Sequence, residues 1–287
     1  MIKRNHVRHF LALIDAGSFT HAAARLGVAQ PTLSASIAEL ERMAGARLLI
    51  RERKQIRLTQ AGNSLVAHAR AIEREFRAAE ANFGNGPAKS TLIKVGVLPS
   101  IATHYLAEIV GNMRDGNEIA LVEGNDAELR RKLGVGQVDV ILTTLRSEDA
   151  DRPSLAMVEE GYLLLVSADH ALAKATSLEA REVASQTMIA RRSCEILGET
   201  SRWFTQRGVR PPFFLRSAND DRCLEMVRAG MGVTTGPESL ARHGVVAIPL
   251  IDYDFRRTIG LLTNRDRSQL LDPQHPLVQA CAAVKKS

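Results

Sequence analysis

Gln30, Thr32 and Ser34 set an amide and two hydroxyls close together around Pro31, and the positions that follow, Ala35 and Ala38, are small. Polar groups free of surrounding bulk can approach base edges in a DNA major groove and hydrogen-bond to them. Further on, Arg51, Glu52, Arg53 and Lys54 form a mainly basic tip suited to phosphate or minor-groove contact, where positive charge meets the strongest negative potential. A second group of polar residues follows β-rich runs: Ser100, Ile101 and Thr103 after the first, Thr143 and Thr144 at the end of another, and Ser193 and Cys194 after a later one. Such positions suit a small polar or anionic ligand, because unpaired N–H groups gather where strands end and helices begin. Arg191 and Arg192 beside Cys194 would attract a carboxylate or lower the thiol pKa, so redox chemistry at Cys194 or Cys223 is a rival use of the same segment.

Other chemistries find little support. The three cysteines, Cys194, Cys223 and Cys281, are widely spaced and lack CxxC or His companions at metal-ligand spacing, which indicates neither a disulfide framework nor a metal site. No GxSxG, HExxH or P-loop occurs, so the chain is not read as an enzyme and no cofactor is assigned. Gly134 with Gly136, and Gly230 with Gly232, follow helices and precede strands, the reverse of a phosphate-binding order, and read as helix C-caps. His6, His9, His21 and His68 are expected on the surface of the basic third, near phosphate.

The elements that must position the first group are helical. Val7, Phe10, Leu11 and Ile14 form one apolar stripe that Gly17 stops, Ser18 caps a second helix carrying Ala22, Ala23 and Leu26, and Gly27 ends it. A third helix begins at Pro31, which a first turn tolerates, and buries Leu33, Ile37 and Leu40. Two short helices across a tight Gly-containing turn make a helix-turn-helix whose second member enters a major groove. Arg47–Ile50 and Gln55–Thr59 then read as two strands about the basic tip, a wing. Leu65, Ala69, Ile72, Phe76, Ala79 and Phe83 follow at alternating steps of four and three, the heptad spacing of a helix that pairs with a second copy. Residues 1–59 are thus expected to form a winged DNA-binding domain, 60–86 a dimerising linker helix whose contacts are Leu65, Ile72, Phe76 and Phe83, and 87–91 a hinge.

Charge divides along the same line. Residues 1–86 hold 13 Lys+Arg against 7 Asp+Glu, whereas the rest of the 287-residue chain holds 25 of each. The whole surplus therefore lies in the N-terminal third, which points to a polyanion partner for that part alone. Phe10–Ile14 is too short for a secretory or membrane-spanning run, so a cytoplasmic protein without membrane contact is expected.

The stretch from His9 to Gly62 resembles the DNA-binding domain of LysR-type transcriptional regulators, through GSFTxAAxxL, QPxLSxxIxxLE, the Arg of LFxR, and LTxAG. Leu49-Ile50 replaces the usual Phe, and Ala35 stands where many relatives carry a longer polar side chain. The resemblance implies that Gln30, Pro31, Thr32 and Ser34 face the major groove, with Arg51 and Arg53 on the wing, and that the partner is a double-stranded operator. It also implies a homodimer or homotetramer.

From Leu92 onward, β-rich runs alternate with helices, the pattern of βαβ units on a parallel sheet. Ser100 is placed to cap a helix starting at Ile101. A looser likeness to the family's regulatory half rests on Gly96-Val97 with Pro99-Ser100, Gly136–Val140, and Val227–Val233 leading to Pro237. It implies an α/β multidomain protein with a two-subdomain effector-binding region at 92–287, subdomain I being 92–161 with 264–287 and subdomain II 162–263. The expected ligand is a small, possibly anionic effector held between subdomains by Ser100, Ile101, Thr103, Thr143, Thr144, Ser193 and Cys194. The reading that follows is a sequence-specific transcriptional regulator under effector control. Its alternatives are a redox-sensing regulator and a cytosolic solute-binding protein without DNA function.

Overall fold

The computed structural model describes residues 1–52, 55–82, 91–113 and 117–284. It divides into two units, Met1–Thr91 with Arg131–Gln137, and Leu92–Arg130 with Val138–Ser287.

In the N-terminal unit, α1 (Arg4–Ala16) stops at Gly17, whose φ of 68° is a left-handed conformation that costs glycine nothing. Ser18 caps α2 (Phe19–Leu26) by accepting from His21 N, and α3 (Gln30–Ala44) starts one residue before Pro31. Val7, Phe10, Leu13, Ala22, Leu33, Ile37 and Leu40 close one apolar core beneath the three helices. The wing strands β1 (Leu49–Glu52) and β2 (Gln55–Leu58) pair antiparallel, Leu49 opposite Leu58. Glu41 of α3 fixes the wing by accepting from Leu48 N and Leu49 N at 2.8 and 3.1 Å. Thr59 ties it from the other side: its hydroxyl donates to Arg47 O and accepts from Gly62 N, while its own N–H donates to Leu48 O. That arrangement leaves no room at Gly62, where a Cβ would lie 2.1 Å from Leu48 O.

The helix α4 (Gln60–Asn82) packs its first half on α1, burying Val66 and Ala69 and half-burying Leu65 in the unit's own core. Leu65 thus packs in part on its own unit's core. Ile72 and Phe76 remain 41% and 44% exposed, and Phe83 lies outside the described residues. His6 is buried, with Nδ1 accepting from Lys3 N, and His9 bonds Ser36 Oγ at 2.8 Å, so these two are helix-packing residues and not surface ones.

Beyond α4 the chain runs β3 (Thr91–Val97), α5 (Thr103–Asn112), β4 (Asn117–Glu123), α6 (Asp126–Gly134), β5 (Val140–Leu145) and β6 (Ser154–Ser167), then β7 (Met188–Arg191), α7 (Leu197–Gln206), β8 (Phe213–Ser217) and α8 (Asp220–Arg228), all in the second unit except Thr91 and the end of α6 from Arg131. It closes with β9 (Thr234–Pro237), β10 (Val245–Ile248), β11 (Arg256–Thr263) and α9 (Pro276–Val284). The sheet is mixed, not parallel throughout: β3 and β5 are parallel, but β11 runs antiparallel to both β5 and β6. The cause is the long strand β6, which exchanges partners between Gly161 and Tyr162, leaving β11 for β9 and β10. Its two halves belong to two lobes. In the second lobe β7 pairs parallel with β8, and Trp203, Phe204 and Tyr253 meet edge to face in the core. Gly136 and Gly230, with φ of 67° and 72°, lie just past α6 and α8, the conformation of C-caps.

Candidate functional site

At the start of α3 the buried stripe faces inward, and Gln30, Pro31, Thr32, Ala35 and Ala38 are exposed, with Ser34 half-buried. A helix presenting amide, hydroxyl and methyl groups in this way can enter a groove without steric hindrance. Arg51 contributes its backbone to β1, and Arg53 lies outside the described residues.

In the regulatory unit, Ser100 does not cap α5, which starts two residues later than expected with Ala102 at its N-cap. Its hydroxyl is taken elsewhere. Ser100 is fully buried, donating to Glu195 Oε1 at 3.2 Å and accepting from Arg257 Nη1 at 2.9 Å. Arg257, with 1% of its side chain exposed, also donates to Ser100 O at 3.1 Å, to Glu195 Oε1 at 2.6 Å, and through Nε and Nη2 to Glu160 Oε1 at 2.9 and 2.8 Å. Thr144 donates to the same Glu195 oxygen at 3.2 Å, and Ser239 N holds Glu160 Oε2 at 2.8 Å. Burial opposes the ionisation of Glu195, but the charge and hydrogen bonds of Arg257 outweigh it and hold the carboxyl below its ordinary value. Two carboxylates thus share one guanidinium where the lobes meet.

The other expected ligand contacts are dispersed. Thr143 Oγ1 bonds Asp126 Oδ1 at 3.0 Å within the first lobe, and Ile101 is buried there. Thr103 donates to Asp221 at 3.1 Å. Ser193 and Arg191 both bond Asp220, so the positive charge of Arg191 is already matched. Cys194 is buried in the core of the second lobe, and that burial pushes its thiol up despite Arg191, contrary to the expected lowering. Cys223 belongs to a separate core cluster, and burial raises its thiol too.

Of the seven positions, the structure thus joins Ser100 and Thr144 and adds Glu160, Glu195 and Arg257. Strand phase carried a signal for two of the missed residues. Glu160 alternates with Tyr162 and Leu164, and Arg257 with Ile259, all inward positions, so each charge stands where a strand pattern calls for an apolar residue.

Residues 4–63 match the family model of the bacterial regulatory helix-turn-helix protein, lysR family, and residues 88–283 match the LysR substrate binding domain. The chain belongs to the LysR family. It is a LysR-type DNA-binding transcriptional regulator with an effector-binding domain. It is 28% identical to the DNA-binding transcriptional dual regulator OxyR of Escherichia coli K12, over 96% of this chain and 94% of that one. It is 29% identical to the nitrogen assimilation regulatory protein of Klebsiella aerogenes, over 82% and 78%. In fold it is similar to a full-length OxyR variant from Pseudomonas aeruginosa, with a TM-score of 0.73 at 20% identity, covering 98% of this chain and 95% of that one. It also resembles CbnR, a LysR family transcriptional regulator, with a TM-score of 0.59 at 18% identity, covering 99% and 98%.

Proposed function

We propose that this regulator reads a pseudo-palindromic operator as a dimer and changes its grip when an effector engages the junction of its regulatory lobes. Gln30, Thr32 and Ser34 read base edges, Pro31 sets the helix start, and Arg51 and Arg53 hold phosphate or minor groove. Ile72, Phe76 and Phe83 supply the apolar seam between copies. It acts in the cytoplasm, where DNA is its partner, and catalyses no reaction.

The observation carrying this reading is the buried cluster of Ser100, Thr144, Glu160, Glu195 and Arg257, which ties parts of both lobes together by charged hydrogen bonds. Glu160 and Glu195 outnumber Arg257 in that cluster, and Glu195 Oε2 is buried without a hydrogen-bond partner among the described residues. An effector offering a donor or cationic group answers that oxygen better than the anion expected from Arg191 and Arg192. The test is operator binding across a panel of metabolite amines and acids. Ser100→Ala and Glu195→Gln should lose the effector response while keeping operator affinity in its absence. Gln30→Ala should lower discrimination for the operator by about 1–3 kcal/mol, whereas Arg53→Ala should weaken all sequences and flatten the salt dependence. Unchanged specificity in Gln30→Ala would remove the reading helix from this account.

A second reading draws on relatives called hydrogen peroxide-inducible genes activator, one of them 26% identical over 89% of this chain. In it the Cys194 thiolate takes one oxygen of peroxide and releases hydroxide, leaving a sulfenic acid. The raised thiol weighs against it. Operator release on peroxide treatment that Cys194→Ser abolishes would favour it over the metabolite reading.

A further inference from the structure

A cavity of about 350 Å³ opens in the second lobe, between β7 and α7. Its wall is mainly apolar, formed by Ala190, Leu197, Phe204 and Val209 among others, and every lining residue lies between Met188 and Thr235. None of Ser100, Thr144, Glu160, Glu195 or Arg257 lines it, so it is separate from the charged cluster at the lobe junction. The volume falls within the range of small-molecule sites and exceeds the roughly 150 Å³ that suffices for a benzene-sized guest.

The polar part of the lining comprises the hydroxyl residues Thr200, Ser201, Thr205, Thr234 and Thr235 and two cationic donors. Arg191 forms part of it with its side chain 1% exposed; its Nη atoms reach Asp220 and Thr235 O, but its buried Nε has no partner among the described residues. A buried N–H without a partner is rare in folded proteins, and a ligand acceptor is one remedy. Arg210 also lines the cavity, is exposed, and makes no ion pair or hydrogen bond among the described residues. Near it Phe213 is 51% exposed, with the Arg216 guanidinium stacked 5.1 Å from its ring centre. Among the described residues no acidic side chain lines the cavity.

We propose that this cavity is a second ligand site, taking a short monocarboxylic acid whose apolar body fills the pocket and whose carboxylate meets Arg210. Its charge preference is opposite to that of the lobe junction. The two sites share one segment of chain, since Cys194 lines the cavity and Glu195, the next residue, binds Arg257. An occupied cavity therefore bears on the junction through a single peptide link.

The chain's one tryptophan supplies the readout, because Trp203 packs edge to face on Phe204 at 4.9 Å. The full-length protein is titrated with hexanoate and with hexan-1-ol, following Trp203 fluorescence and melting temperature. Hexanoate should give a saturable change and a raised melting temperature, and hexan-1-ol should bind roughly tenfold more weakly, as expected for loss of one charged hydrogen bond. Arg210→Ala should remove that preference for the acid, Ser201→Phe, at a lining position exposed enough to tolerate it, should block both compounds, and Ser100→Ala should alter neither. No saturable binding of hexanoate, an acid preference that survives Arg210→Ala, or binding lost in Ser100→Ala but kept in Ser201→Phe would each overturn the proposal.

Discussion

The two units of this protein each contain one arginine clamped by two glutamates, and the two clusters differ mainly in their exposure to water. In the N-terminal unit Arg4 pairs with Glu73 and Glu80 of α4, at 26%, 10% and 61% side-chain exposure, so the cation and one of the two acids are open to water while Glu73 is covered. In the regulatory unit Arg257 pairs with Glu160 and Glu195, at 1%, 4% and 18%. Near water the attraction is offset by competing hydration and by the entropy of holding long side chains, so such a pair fastens one helix to another without governing the fold. Removed from water, the same groups depend on one another, and losing the cation leaves two carboxylates with only the neutral hydrogen bonds of Ser100, Thr144 and Ser239 N. The DNA-binding unit is thus stabilised by its apolar core and local caps, while the regulatory unit adds to its apolar cores a few desolvated charges that are costly to separate.

The largest effect should come from breaking the buried cluster. Arg257→Met leaves Glu160 and Glu195 without their cation and should cost the regulatory unit about 3–5 kcal/mol at pH 7.5, read from the melting of Trp203 fluorescence. The pH dependence checks the cause. With Arg257 gone, burial is opposed only by neutral hydrogen bonds such as those from Ser100 and Thr144 and raises the Glu195 carboxyl in the folded state, so its ionisation opposes folding at neutral pH. That penalty disappears as pH falls and the carboxyl protonates. The stability gap between wild type and Arg257→Met should therefore narrow from pH 7.5 toward pH 5; a constant gap would mean lost packing, not stranded charge.

The N-terminal unit should fail at a point of geometry. Gly62→Ala would set a methyl against Leu48 O, where α4 starts beside the wing, and should cost about 1–3 kcal/mol, the usual range for overpacking. Hydrogen exchange should rise in α1 to α3 and operator affinity should fall, while Trp203 melting stays where it was. Movement of both signals would show that the units do not fail separately.

Why one unit is more legible in the sequence than the other follows from the same contrast. In the first, the signals are local. Gly17 and Gly27 end helices, Ser18 caps one three residues ahead, and Thr59 reaches Gly62 at the same spacing, so short motifs and helical periodicity recover the elements. The exposed start of α3 followed directly from its buried stripe. In the second, Arg257 bonds Ser100 across 157 positions and Glu195 across 62, distances over which pattern carries no register. The individual strands were visible, but β6 could be read only for its second half, because Ser154–Gly161 alternates weakly and includes two glutamates. Arg257–Thr263 reads as a returning strand, but its antiparallel register against β5 and β6 does not follow from the local pattern. Ser100 and Thr144 are legible because one follows a strand and the other stands at the end of one; Glu195, one residue beyond Cys194, is not, since a lone acid in a loop ordinarily reads as solvated.

A smaller effect tests whether local caps hold the reading helix in place. Ser18→Ala removes the acceptor for His21 N at the start of α2 and should cost about 1 kcal/mol, the typical value of an N-cap. Because α2 packs on α3, the loss should appear as faster hydrogen exchange in both helices, with the regulatory unit unaffected.

The smallest effect should come from the exposed counterpart of the buried cluster. Arg4→Met keeps a long unbranched chain at the start of α1, where the Arg4 guanidinium lies 4.6 Å from the centre of the Phe76 ring, and so retains part of the apolar contact while deleting the charge. Glu80 remains open to solvent, and Glu73, though buried, keeps a further partner, so neither is stranded as Glu160 and Glu195 would be. Hydrogen exchange in α1 should change little at low salt and not at all at 0.5 M salt, where charges beyond a few ångströms are screened. Arg257→Met should lose nearly as much at both salt concentrations, since buried and partly buried charges are screened far less than exposed ones. If Arg4→Met instead destabilises its unit as strongly as Arg257→Met does, and salt leaves that loss intact, exposure is not what separates the two clusters, and the Arg4 group must be covered by something that a single chain lacks. The seam residues Ile72 and Phe76, exposed on the same helix, make a second copy of the chain the first candidate, and sedimentation of Ile72→Glu with Phe76→Glu would then decide it.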